Sequence, residues 1–191
     1  MLQIMRCYIN RVLSIFIIIL FTSCSLIPRH IASKEEIESK EEKLYRMIIG
    51  LNKTIDKKEA RDLAKKSILY AIRLAKEYKV VSPPLWHNTL VNIGFKKRGL
   101  CYQWAEDMLL FLLKQKYQTI QFYAIGTKIG EYFEHNALAL SAKGVFFNKS
   151  IVLDAWRESG NLYFNYIDKD KYIWKNREEV YRKVVRRLLK K

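Results

Sequence analysis

The chain has 191 residues, enough for one ordinary domain with a full hydrophobic core, and half of its residues are hydrophobic. Its formal charge is +16, from 35 Lys+Arg against 19 Asp+Glu. The cations are spread along the chain, with no dense Arg/Lys face and no interleaved stacking aromatics, so a nucleic-acid partner is not expected. A metal centre is not expected either, because His30, His87 and His135 are the only histidines and no paired-ligand spacing occurs.

Residues 1–23 have the layout of an export signal. Arg6 and Arg11 give a positive start, Val12 to Phe21 is apolar, and Phe21-Thr22-Ser23-Cys24 ends the run. That ending resembles a bacterial lipobox, which implies acylation of Cys24, although Phe21 stands where leucine is usual. Ser25 follows where an inner-membrane retention aspartate would stand, so the resemblance implies the outer membrane, facing the periplasm. The expected partner at this end is the bacterial membrane, reached through the lipid anchor. Three cysteines are present. Cys7 leaves with the signal, Cys24 is spent on the lipid, and Cys101 is left with no disulfide partner in an exported chain.

Residues 24–55 read as a tether, carrying Pro28, and a peripheral helix. Ser33 and Glu36 form a capping-box pattern that opens a charged helix running to about Ile49. Residues 56–191 read as the domain proper. Asp56 and Glu59 repeat the capping pattern before a second helix, whose stripe is Ala60, Leu63, Ala64, Ile68, Ala71, Ala75 and Tyr78. Pro83 and Pro84 end it. A short helix, Leu85 to Ile93, carries His87, Asn88 and Asn92 and stops at Gly94.

Gly99 then turns the chain into an apolar helix that begins at Cys101 and carries Ala105, Met108, Leu109, Leu112 and Leu113 at helical spacing. A cysteine in the first turn of a helix lies near unpaired N–H groups and the positive end of the dipole, a setting that favours the thiolate. Thr119 to Ile125 alternates as a strand does. Further strands are expected from His135 to about Ala142, from Ile151 to Arg157 and from Leu162 to Ile167. Val145 to Phe147 is read as the start of a returning strand, and Asn176 to Lys191 as a basic helix that packs on the domain.

His135 and Asp154 are polar residues in otherwise apolar strands. With Cys101 they supply a nucleophile, a base and a group that orients the base. Asn88 or Asn92 is a candidate oxyanion donor, with the backbone N–H of the cysteine as its companion. Trp104 and Trp156 are expected as core or groove-wall aromatics, and a groove plugged by Trp86, Trp104 or Trp156 would favour an inert protein.

The pattern Gly99-x-Cys101-x-x-x-Ala105, with His135 opening one strand and Asp154 in the next, resembles the transglutaminase-like branch of the papain-like cysteine peptidases over roughly Leu85 to Ile167. The resemblance implies an α+β fold in which a cysteine-bearing helix packs on an antiparallel sheet, with extra N-terminal helices and a C-terminal helix. It also implies the roles of Cys101, His135 and Asp154, and it requires no cofactor. Asn136-Ala137 departs from the branch, where an aromatic residue often follows the histidine. The implied activity is a thiol-dependent peptidase, amidase or acyl transferase acting on a protein or peptide substrate. An inactive binding or scaffold lipoprotein on the same fold is the alternative, with Cys101 as a buried, inert thiol.

Overall fold

The computed structural model describes residues 32–190, so the signal, Cys7, Cys24 and His30 lie outside it. The chain is α+β, with five helices among the described residues and one five-stranded antiparallel sheet. The helices are α1 (Lys34–Leu51), α2 (Lys57–Glu77), α3 (Pro84–Asn92), α4 (Cys101–Leu113) and α5 (Glu178–Leu189). The strands are β1 (Ile120–Thr127), β2 (His135–Ala142), β3 (Ile151–Asp154), β4 (Tyr163–Tyr166) and β5 (Lys175–Asn176). In space they lie in the order β4-β3-β2-β1-β5.

The first helix begins as its sequence dictates, with the Ser33 hydroxyl accepting from the Glu36 N–H and the Glu36 carboxylate accepting from the Ser33 N–H. It is not peripheral, since Leu44 and Ile48 are fully buried in the main core. At the second helix Asp56 caps the Lys58 and Glu59 N–H groups, both at 2.8 Å. Glu59 does not close the expected box. Its carboxylate accepts instead from the Gln118 and Thr119 N–H groups and pins α2 to the start of β1.

The stripe of α2 meets Met108, Leu109 and Leu112 of α4, and both helices pack on Leu138, Leu140 and Leu153 from one face of the sheet. Each fully buried side chain of this size contributes about 1.5–3 kcal/mol relative to exposure. A smaller cluster of Ile125, Ala137, Ala139, Val152 and Trp174 covers the opposite face. The period of two along a strand therefore puts His135, with Ala137 and Ala139, on the second face. Since Leu138 pairs with Leu153, Asp154 falls opposite Ala137 and on that same face, one diagonal step from His135.

Two expected strand segments are not strands. Val145 to Phe147 belongs to the connection out of β2, which passes through a 3-10 turn at Phe147–Lys149. The third strand stops at Asp154 rather than Arg157, because the Arg157 N–H turns back to donate to Asp154 Oδ1 at 3.1 Å. The C-terminal helix packs as expected. Val184 is buried, and the Glu106 carboxylate of α4, 7% exposed, accepts from Lys183 and Arg187 of α5. No helix among the described residues is long and apolar enough to cross a membrane.

Candidate active site

Cys101 is the first residue of α4, and the turn before it is held from three sides. Leu100 stands where a Ser or Thr cap would be, and Gln103 takes over the work: its Oε1 accepts from the Gly99 and Leu100 N–H groups, at 2.7 and 3.1 Å. The Trp104 indole N–H donates to the Gly99 carbonyl at 3.0 Å. His87, 1% exposed, accepts from the Val81 N–H at Nδ1, and its Nε2 lies 2.9 Å from the Arg98 carbonyl. Its burial lowers its pKa. With the Gly99 and Leu100 donors taken, the N–H groups of Cys101 and Tyr102 are left at the helix start beside the sulfur.

Gly99 has φ +124°, and a Cβ there would lie 2.2 Å from His87 Nε2. Gly99→Ala combines left-handed strain with a clash against a pinned ring. It is expected to lower stability in urea by about 1–3 kcal/mol and to slow reaction of Cys101 with thiol reagents by displacing the turn. A variant with unchanged urea midpoint and unchanged thiol rate would show that the turn tolerates a side chain.

Cys101 is a free thiol of intermediate exposure, so the sulfur is not sealed in packing. It donates to the Glu134 carbonyl at 3.8 Å, which places it against the residue that precedes His135. The His135 ring is 5% exposed, and its Nε2 lies 2.6 Å from Asp154 Oδ2. Its Nδ1 is buried and makes no hydrogen bond. Burial alone would push the imidazole toward neutrality. The Asp154 carboxylate, its hydrogen bond and the Cys101 sulfur overcome that and hold the imidazole pKa up at about 9.

Asp154 is itself buried, which disfavours its charge, but His135 and then Arg157 outweigh the burial and hold the carboxyl low. Arg157 was not singled out in the sequence. Its Nε donates to Asp154 Oδ2 at 3.0 Å, its NH2 lies 3.1 Å from Asp170 Oδ2, and its guanidinium sits 3.9 Å from the Tyr163 ring. The cation therefore fixes the carboxylate that fixes the imidazole. Around His135 stand Trp156, Tyr172 and Trp174, with ring centroids 4.7, 5.5 and 5.5 Å away.

The two asparagines separate. Asn88 Oδ1 accepts from the Trp156 indole at 3.0 Å, which ties α3 to the aromatic that packs on His135. Asn92, one turn on, is exposed at the end of the helix. Trp104 is core, Trp156 is wall, and Trp86 is 41% exposed. A cavity of about 250 Å³ lies next to the sulfur's neighbours, Tyr102 and Glu134, with Glu106, Asn136, Arg177 and Lys183 as further polar lining.

Gln103 and Arg157 had sequence signals. A glutamine three residues past a helix cap is a capping partner, and a cation three residues after an aspartate is within reach of it. Comparison with known proteins adds nothing to this geometry: no family model, no curated protein and no solved structure matches the chain.

Proposed function

We propose that this is a cysteine-dependent peptidase, amidase or acyl transferase of the transglutaminase-like, papain-like kind, acting on amide bonds of a protein or peptide. We also propose that Cys24 carries a lipid that holds it on a bacterial envelope membrane, facing the periplasm. The observation that carries the enzymatic reading is the arrangement at His135: Nε2 is engaged by a buried carboxylate, while the buried Nδ1 has no hydrogen-bond partner, on a ring kept protonated by Asp154 and the sulfur.

In this reading the Cys101 sulfur attacks the amide carbonyl carbon, forming a C–S bond. The negative oxygen is received by the N–H groups of Cys101 and Tyr102, with Asn88 as the side-chain candidate. His135 gives its proton to the leaving nitrogen as the C–N bond breaks. Water then attacks the thioester, giving one proton back to His135 and regenerating the thiolate. Resolution by a lysine amine in place of water yields a crosslink, with the same residues in the same roles.

The test is the rate at which a peptide-based thiol electrophile labels Cys101, read by intact mass. Cys101→Ala is expected to keep its fold and lose all labelling. His135→Ala is expected to keep its fold and label about 10²- to 10⁴-fold more slowly. Equal rates for wild type and His135→Ala would mean that the thiol is not activated, and the enzymatic reading would fail.

A further inference from the structure

Among the described residues, the exposed apolar side chains are concentrated around the site. Of the twelve large hydrophobic residues exposed among the described residues, nine lie in three segments: α3 through Tyr102, the β1–β2 loop, and the loop before β5. The same three segments meet at His135 and Cys101. Asn88 of α3 holds Trp156 against the His135 ring, Glu134 of the β1–β2 loop accepts from the Cys101 sulfur, and Tyr172 and Trp174 pack on His135 from the third loop. They form one rim at one end of the sheet.

The rim is made of tips rather than a groove. Tyr132 is 95% exposed, Ile173 85%, Phe95 80% and Phe133 63%, values that only protruding side chains reach. Exposed cations stand between them: Lys97 and Arg98 in the first segment, Lys128 in the second, Lys171 in the third, and Lys175 where β5 begins. Lys128 Nζ lies 5.8 Å from the Phe133 ring centroid. Convex aromatic and aliphatic tips alternating with lysine suit a planar surface that is apolar within and anionic outside, and the chain's charge of +16 points the same way. A peptide partner would be met by a concave, continuous apolar floor.

We infer that this rim seats on an anionic lipid bilayer, so that the mouth of the Cys101–His135 site faces the membrane and takes substrates presented at its surface. The contact is separate from any lipid at Cys24, and it does not require turnover by the triad.

The four tryptophans make the test selective. Trp156 and Trp174 pack on His135, Trp104 holds the turn before Cys101, Trp86 is the exposed one in α3, and residues 1–85 contain none. An N-terminal anchor therefore carries no tryptophan reporter of its own. The full chain is added to vesicles of phosphatidylglycerol with brominated acyl chains, and to brominated phosphatidylcholine vesicles. Fluorescence is expected to fall at least twofold in the anionic vesicles and several-fold less in the neutral ones, with Trp86→Phe removing most of the loss.

The double change Tyr132→Glu with Phe133→Glu, checked for native circular dichroism, is expected to abolish the quenching. Lys128→Glu with Lys171→Glu, which leaves the apolar tips in place, is expected to weaken it and to reduce its sensitivity to salt. Absence of quenching in both vesicle types overturns the inference and leaves a protein partner for the rim. Equal quenching in both types, or in the glutamate variant, overturns it as well.

Discussion

Asp154→Asn is expected to slow labelling of Cys101 by about 10²- to 10⁴-fold while leaving the fold in place. The amide fills the volume of the carboxylate but removes the charge that opposes burial of the His135 cation, so the imidazole falls toward its neutral form and its orientation loosens. Asp154→Ala is expected to do more. It leaves the His135 Nε2 and the Arg157 Nε buried without their shared acceptor, and stability should drop by about 3–5 kcal/mol. The two variants separate chemistry from architecture: thiol labelling reads the first, urea unfolding the second. Wild-type labelling by Asp154→Asn would make Asp154 a structural residue only.

What the sequence could tell about this site follows from which interactions are local. Cys101 is legible because an apolar helical period begins abruptly behind it, and His135 and Asp154 because they interrupt apolar strands. Whether His135 and Asp154 meet depends on strand register, which neither strand's own pattern encodes, and the register brings them one diagonal step apart on a common face. The end of β3 was not legible. Asp154-Ala155-Trp156 continues the apolar pattern, and what stops the strand is a side-chain acceptor that bends Arg157 back, a choice the pattern does not encode.

Likewise Asn88 and Asn92 share a helix face and look equivalent in sequence. Only the position of Trp156, far along the chain, distinguishes them. The first helix shows the same limit. Its stripe is thin, so its burial is decided by the elements that close over Leu44 and Ile48 rather than by its own composition.

The pH dependence of stability offers a second large effect, and its sign follows from His135. The folded state holds this imidazole at about 9, against about 6.5 in an unfolded chain, so the folded state binds the proton more tightly. Its contribution is complete below about pH 6.5 and is lost as the pH rises through 9. The difference corresponds to about 3 kcal/mol. His87 works in the opposite sense and in another window. Its pKa is lowered by burial, so it destabilises the folded state below about pH 6.5 and is neutral in both states above it. Between pH 6.5 and 9 the slope therefore belongs to His135 among the described histidines.

Urea midpoints measured across that range should fall steadily in the wild type. The curve for Asp154→Asn should be nearly flat, because the carboxylate is the largest influence holding the proton on the ring. Parallel curves for the two proteins would mean that the buried pair does not store its proton in the folded state. The ring beside Cys101 would then be neutral at the pH where the sulfur must be charged.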